Sequence, residues 1–158
     1  MTADPHNNGV AARMSDDNRV RAEIRIGNVV AEMKDVVEFV DGFGRDNGLF
    51  PAITNELNLC LDEVLNNTIS YGYDDGGRHT IRVALSIEDN VLIAQVEDDA
   101  RPFDLRHASE PNVSGGLHTR KLGGMGIHFV KSLMDSVDYA RSDGYNRLTL
   151  RKKIPLAD

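Results

Sequence analysis

The sequence predicts an α/β two-layer sandwich of the α+β type, with helices on one face of a mixed, mostly antiparallel sheet. Three observations lead to this prediction. The elements follow the order strand, helix, helix, hairpin, long irregular segment, helix, hairpin, which is not the regular alternation of a doubly wound sheet. The helices are amphipathic, so they could all cover the same side of the strands. The length of 158 residues fits one domain of ordinary size.

The first half of the chain contains one strand and two helices. Residues 20–26 alternate as a strand does. Asn28 can cap a first helix that ends before Gly48, because the apolar residues between them recur at helical spacing. A second helix is predicted over residues 52–70. Residues 1–19 are polar and are expected to form a flexible tail, which leaves residues 20–158 as a single domain.

The second half contains two hairpins and a third helix. Residues 81–87 and 91–97 alternate with period two on either side of a Glu-Asp-Asn turn, which predicts a hairpin. Residues 99–122 show no periodicity, and a stretch of this length in a compact domain is usually functional or mobile. A helix is predicted over residues 124–135. The last hairpin should turn at Asp143 and Gly144.

Composition and charge argue against several classes of protein. Hydrophobic residues make up 41% of the chain and charged residues 27%, which is typical of a globular protein. No apolar run approaches the roughly 20 residues that a membrane crossing needs, and the N-terminus has no signal-peptide core. The net charge of −7 disfavours nucleic acid as a partner. With Cys60 as its one cysteine, the chain is predicted to be cytoplasmic.

The segment DEVLNN, near the end of the second helix, places polar side chains beside an apolar face. At 100° per residue, Glu63 and Asn67 lie one turn apart on a stripe that borders the buried side. A carboxylate and an amide oxygen there suit a proton acceptor and a hard cation. A solvated helix edge is the other interpretation, and the stripe taken alone favours it.

Two further segments carry groups that suit a phosphorylated ligand. VEDDARPFDL places Asp98 at the end of a strand, beside a turn. KLGGMGIHFVKSLMD places three glycines before an amphipathic helix, where free N–H groups can bind phosphate. The other interpretation is that these glycines mark a loop and bind no ligand. The segment is not a dinucleotide-binding fingerprint, because Phe129 stands where the last glycine should be.

These three segments, in this order, resemble the ATPase superfamily of gyrase, histidine kinases and mismatch-repair ATPases. The short length and the sequence RPFD most resemble its anti-sigma-factor serine/threonine kinase branch, the RsbW-like proteins. The resemblance covers residues 20–154 and implies the Bergerat-type ATP-binding fold. It also implies ATP and Mg²⁺ as cofactors.

The resemblance implies a role for each polar residue. Glu63 would be the general base, and Asn67 would be a ligand of Mg²⁺. Asp98 would accept a hydrogen bond from the adenine amino group, with Ala100 beside it. The other nucleotide contacts would come from an ATP lid and from a hydroxyl on the last strand: Lys121, Gly123, Gly124, Met125, Gly126 and Thr149.

Ala100 departs from the family pattern, which usually has glycine two residues after the adenine aspartate. A glycine there would allow positive φ or a close approach of the backbone to the nucleotide. Ala100 therefore favours an alternative function, in which the protein binds nucleotide and sequesters a partner with weak or no kinase activity.

The resemblance implies a protein serine/threonine kinase of the anti-sigma type. It would phosphorylate a small anti-anti-sigma partner of the STAS type and sequester a sigma factor or a similar regulator. A homodimer is also implied. The catalytic domain of a histidine kinase is a third interpretation. It is disfavoured because residues 1–19 cannot hold the helical hairpin that presents a substrate histidine.

Overall fold

The computed structural model describes residues 11–14, 20–104 and 124–156. The elements in these ranges are β1 (Ala11–Met14), β2 (Val20–Gly27), α1 (Met33–Asp46), α2 (Pro51–Tyr71), β3 (Thr80–Glu88), β4 (Val91–Asp98), α3 (Gly124–Leu133), β5 (Ser136–Ser142) and β6 (Tyr145–Lys153). A short 3-10 turn, Val30–Glu32, precedes α1. Among the helices of these ranges, none is long and apolar enough to cross a membrane.

The strands form one sheet in the order β1-β2-β3-β4-β6-β5. Every pair of neighbours is antiparallel, where the sequence predicted a mixed, mostly antiparallel sheet. Two-residue turns with positive φ close both hairpins, at Asp89 (50°) and Asn90 (60°), and at Asp143 (54°) and Gly144 (82°). Turns of this kind match the natural twist of paired strands, which is why these short sequences define hairpins.

The core lies between the sheet and the three helices. Alternate residues of β2, β3, β4 and β6 are buried against the helices: Ile24, Ile26, Ile81, Val83, Leu85, Leu92, Ala94, Val96, Leu148 and Leu150. Helix α2 packs against both α1 and α3. The strand residues that alternate with these buried ones face away from the helices and include charged side chains, among which Glu97 pairs with Arg82 and Arg147. The buried hydrophobic residues lie on a single face of the sheet, which confirms the predicted two-layer arrangement.

The structure differs from the predicted tail at one segment. Ala11–Met14 forms an edge strand, with Ala11 opposite Glu23 and Met14 opposite Val20 of β2. Pairing with an open sheet edge uses backbone groups and needs no alternation of side chains. The polar composition of residues 1–19 therefore did not reveal β1.

Asn28 has a different role from the predicted helix cap. Its Oδ1 accepts a hydrogen bond from the backbone N–H of His79 at 3.0 Å, and its Nδ2 donates to the carbonyl of Gly77 at 3.1 Å. The backbone N–H of Asn28 also donates to the carbonyl of His79 at 3.1 Å. Asn28 thus joins the end of β2 to the segment that leads into β3.

Candidate functional site

A cavity opens between α2, the turn after β4 and the β5–β6 hairpin, and it encloses about 650 Å³, including space open to solvent. Its lining residues are Val64, Asn67, Thr68, Tyr71, Gly72, Val96, Asp98, Ala100, Arg101, Pro102, Phe103, Tyr139, Asn146 and Leu148. Apolar walls with a few polar groups are typical of a small-molecule site. The fold therefore brings Asn67, Asp98 and Ala100, which the sequence predicted as site residues, to one cavity.

Asp98 is a buried carboxylate, with 6% of its surface exposed. Its Oδ1 accepts hydrogen bonds from the backbone N–H of Ala100 at 3.0 Å and from Asn146 Nδ2 at 2.9 Å. Burial raises the pKa of the Asp98 carboxyl above its ordinary value, although both hydrogen bonds oppose this shift. A carboxylate is costly to bury, so its position beside a cavity makes Asp98 a candidate acceptor for a ligand that donates a hydrogen bond.

The turn after Asp98 is fixed against the end of α2. The backbone N–H of Arg101 donates to the carbonyl of Gly72 at 3.0 Å. A Cβ on Gly72 would lie 2.4 Å from the carbonyl oxygen of Thr68 and 2.7 Å from the Cβ of Ala100, so only glycine fits there. Ala100 is 4% exposed and has an ordinary negative φ. Its methyl group packs over Gly72, so the backbone accommodates alanine without strain.

Glu63 and Asn67 lie one turn apart on α2, and both are half-buried. Asn67 lines the cavity, whereas Glu63 lies outside the lining. Within the described residues, no three side chains of His, Cys, Asp or Glu form a group that could hold a metal ion. A Mg²⁺ ion bound beside Asn67 would therefore take most of its ligands from nucleotide phosphates and water, as is common for this ion.

Other polar residues of α2 have structural roles. Glu56 forms an ion pair with Lys152 Nζ at 2.5 Å, and Lys152 also donates to the carbonyl of Leu133 at 2.8 Å. These contacts join α2, β6 and α3. Asn66 is exposed and accepts a hydrogen bond from Ser70 Oγ at 3.3 Å. The two adjacent asparagines of DEVLNN therefore have different environments, and Asn67 is the one that faces the cavity.

Comparison with known protein families identifies the chain. The profile of the histidine kinase-like ATPase domain matches residues 27–152, from the end of β2 into β6. The chain belongs to this family. The matched region includes all the elements that line the cavity, and the predicted resemblance to this ATPase superfamily is confirmed.

Two curated relatives of this histidine kinase-like ATPase have informative names. The serine/threonine-protein kinase BtrW of Bordetella bronchiseptica is 31% identical over 94 residues, which are 60% of this chain and 66% of that protein. The anti-sigma F factor of Bacillus licheniformis is 23% identical over 83 residues, which are 52% of this chain and 56% of that protein. The chain spans less than two thirds of the length of each. These names confirm the predicted resemblance to the RsbW-like branch.

A solved structure supports the fold. The RsbU and RsbW domains of a Mycobacterium tuberculosis protein align with a TM-score of 0.58 at 15% sequence identity. The alignment covers 84% of this chain and 32% of that chain. At this level of identity, the similarity shows the fold alone, and it confirms the predicted α+β sandwich.

The described residues of this histidine kinase-like ATPase fit the adenine end of ATP. The apolar side chains of Val64, Val96 and Leu148 form walls that suit a flat base. Asp98 offers a carboxylate oxygen to an exocyclic amino group. Asn67, at the cavity wall, offers an amide oxygen, which is a suitable ligand for Mg²⁺.

Thr149 lies on the face of the sheet opposite the cavity. Side chains alternate along β6, so Asn146 and Leu148 line the cavity while Thr149 points away. Thr149 Oγ1 accepts a hydrogen bond of 3.5 Å from its cross-strand neighbour, Gln95. This placement disagrees with the predicted adenine contact. Asn146 is the polar residue that sequence analysis missed, although an asparagine inside a strand is itself an unusual signal.

The predicted ATP lid lies mostly outside the described residues. Lys121 and Gly123 belong to residues 105–123, which the structure does not describe. Helix α3 begins at Gly124, so Gly124, Met125 and Gly126 form its first turn. Phosphate binding by this turn remains a prediction.

Proposed function

We propose that this protein is an ATP-dependent serine/threonine protein kinase of the anti-sigma type. The main support is that Asp98 and Asn67 line one cavity in a histidine kinase-like ATPase, with Glu63 one turn from Asn67. The name of the Bordetella relative supports a serine or threonine hydroxyl as the phosphate acceptor. The name of the Bacillus relative supports an anti-sigma role.

The proposed chemistry assigns one task to each residue. Asp98 accepts a hydrogen bond from the adenine amino group and orients the base. Glu63 takes the proton of the acceptor hydroxyl. The oxygen of that hydroxyl attacks the γ-phosphorus of ATP, and ADP leaves as the bond between the γ-phosphorus and the β,γ-bridging oxygen breaks. When Mg²⁺ is bound, with Asn67 as a protein ligand, it neutralises phosphate charge. Lys121 and the first turn of α3 supply further donors to the phosphates.

The proposed partners follow from the family resemblance. The acceptor hydroxyl belongs to a small anti-anti-sigma protein of the STAS type. A sigma factor, or a regulator of equivalent function, is the second partner and is sequestered by a homodimer of this protein. The proposed location of these events is the cytoplasm.

The geometry of Ala100 bears on the choice between a kinase and a nucleotide-binding module that only sequesters a partner. A strained or obstructed turn beside Asp98 would favour the module. Ala100 instead has an ordinary φ and packs over Gly72. The specific argument for the module is therefore removed, and we favour the kinase.

Substitutions on α2 test the proposal. Glu63→Gln keeps the shape of the side chain and removes the base, so nucleotide binding should persist while phosphate transfer falls by ~10²–10⁴-fold. Asn67→Ala removes a metal ligand, so the Mg²⁺-dependent part of ATP affinity should also fall. The measurements are titration of a fluorescent ATP analogue with and without Mg²⁺, and phosphate transfer from labelled ATP to a purified STAS-type partner.

Asn66→Ala provides the matched control. Asn66 is adjacent to Asn67 but exposed, so its substitution should change neither nucleotide binding nor transfer. Equal loss of binding in the Glu63 and Asn67 variants would contradict the role of Glu63 as the base. Normal ATP binding by the wild type, with no transfer to the partner that it binds, would favour the sequestering module.

A further inference from the structure

Asn146 is a buried polar residue in β6, with 6% of its surface exposed. Its Nδ2 carries two hydrogens, and three acceptors within hydrogen-bonding distance share them: Asp98 Oδ1 at 2.9 Å, the carbonyl of Ala100 at 3.1 Å and the carbonyl of Arg101 at 3.0 Å. One side chain therefore holds both the carboxylate of Asp98 and the backbone turn that follows it. Asparagine is disfavoured inside strands, so this position needs a specific reason.

The other end of the Asn146 amide is also occupied. Its Oδ1 accepts hydrogen bonds from Tyr139 Oη at 2.5 Å and from Arg141 Nη1 at 2.8 Å. Arg141 Nη1 donates in addition to the carbonyl of Ala100 at 3.1 Å. Since Nδ2 meets only acceptors and Oδ1 meets only donors, the amide has one compatible orientation.

The network requires an asparagine. An aspartate at position 146 would have no N–H group for the carboxylate of Asp98 or for the carbonyls of the turn. A serine or threonine would offer one O–H donor, and a glutamine would be one methylene longer. The buried amide of Asn146 provides hydrogen-bond donors to Asp98 and to the turn, and an acceptor to Tyr139 and Arg141.

We propose that Asn146 is a positioning residue that, with Tyr139 and Arg141, orients Asp98 for the exocyclic amino group of adenine. The inference rests on the proposed ATP-binding function. Both of the hydrogen bonds described for Asp98 end on Oδ1, so they fix the rotation of the carboxylate, and Oδ2 is the oxygen that we expect to accept the hydrogen bond from adenine. Asn146 and Tyr139 also line the cavity, which places the network beside the base.

The test measures how much the adenine amino group contributes to binding. The dissociation constants of ATP and of purine riboside triphosphate, which lacks that amino group, are compared for each variant. A hydrogen bond to a charged acceptor should make the wild type prefer ATP by about tenfold or more. Asn146→Asp keeps the shape and the acceptor for Tyr139 but removes the donor to Asp98. The preference of Asn146→Asp for ATP over purine riboside triphosphate should fall to about threefold or less.

Tyr139→Phe is the second variant, because two adjacent carboxylates could unfold Asn146→Asp. It removes one O–H donor to Asn146 and leaves the ring in the cavity. The preference for ATP should fall by about threefold. Tyr145→Phe is the matched control, since Tyr145 lies on the same hairpin with 50% of its surface exposed. Its preference should equal that of the wild type.

The outcomes separate this inference from the proposed function. If the wild type does not bind ATP, both are overturned. If it binds both nucleotides equally, the adenine contact of Asp98 and this inference are overturned, and the kinase proposal still rests on the transfer measurement. If the wild type prefers ATP and folded Asn146→Asp and Tyr139→Phe keep the full preference, only the inference is overturned. A lower melting temperature with an unchanged preference would also overturn it, because that result indicates a structural role. If Asn146→Asp does not fold, the preference of Tyr139→Phe decides.

Discussion

At the scale of single residues, the effect of a side chain depends on its backbone angle and on its immediate neighbour. Ala100 stands where the family resemblance leads us to expect glycine, yet its φ is negative and its methyl group is buried over Gly72. Cys60 is fully buried, and burial raises the pKa of its thiol to about 11. The thiol is therefore neutral near pH 7 and acts as a core side chain.

Ala100→Gly should destabilise the protein slightly and leave ATP affinity unchanged. Glycine adds conformational entropy to the unfolded chain at a position where alanine already fits. The expected loss in the free energy of unfolding is ~0.4–1 kcal/mol. Chemical denaturation and ATP titration of the wild type and the variant measure the two quantities. Tighter ATP binding by the variant would show that the turn after Asp98 is strained.

At the scale of elements, a histidine joins the segment between α2 and β3 to the turn after β4. His79 Nε2 lies 2.8 Å from Asp75 Oδ2, and its Nδ1 lies 2.9 Å from Asp99 Oδ2. The ring of Tyr73 stacks on the imidazole, with centroids 4.3 Å apart. The hydrogen bonds to Asp99 and then to Asp75 raise the pKa of His79 above its ordinary value of 6.5.

The His79 contact should make stability depend on pH. A histidine whose pKa is raised by folding stabilises the folded state fully below pH 6.5, and this contribution is lost as pH rises through the folded-state pKa. The free energy of unfolding should therefore decrease from pH 6.5 upward in the wild type. In His79→Gln the decrease should be smaller. Urea denaturation at a series of pH values measures both curves, and parallel curves would contradict this role of His79.

At the scale of the whole molecule, the site combines three separate parts of the chain. Helix α2 contributes Asn67, the end of β4 contributes Asp98, and the final hairpin contributes Asn146. A ligand that binds only when these parts are assembled stabilises the folded state by mass action. The unliganded protein also contains a buried carboxylate, Asp98, whose ionised form is disfavoured by burial.

ATP should therefore raise the melting temperature, and Asp98→Asn should reduce this effect. At 100 times its dissociation constant, ATP stabilises by about 2.7 kcal/mol, which corresponds to ~5–10 °C for a chain of this size. Asparagine retains the Oδ1 acceptor for Ala100 and Asn146 but removes the charge, so ATP should bind more weakly. The increase in melting temperature at the same ATP concentration should therefore fall by about half or more.

Without ATP, the Asp98→Asn variant should be at least as stable as the wild type, because a neutral amide replaces a buried carboxylate. Thermal denaturation of both proteins, with and without ATP, measures these effects. An equal shift in both proteins would argue against an adenine contact by Asp98. A large loss of stability without ligand would indicate that Asp98 is structural.

Local sequence patterns were sufficient to predict the fold class, the order of helices and strands, and the polar face of α2. These features follow from local rules, since the 3.6-residue and two-residue periods come from backbone geometry within one element. Local rules did not predict that Asn67 and Asp98 line one cavity; the resemblance to the ATPase superfamily carried that expectation, since the stripe on α2 alone favoured a solvated helix edge. The two hairpins could be predicted from their turn residues, which tolerate positive φ.

The sequence did not show which face of β6 meets the cavity, because this depends on how β6 pairs with β4 and β5. A shift of one residue exchanges the two faces of a strand, so Asn146 and Thr149 exchange roles if the register is inferred wrongly. The structure alone also placed Ala100 over Gly72 and Asp99 beside His79, because the two residues of each pair lie at least 20 positions apart in the chain and meet only after the elements pack. Edge strand β1 was likewise decided by pairing with β2, since backbone hydrogen bonds to a neighbouring strand produce no periodic pattern in the sequence.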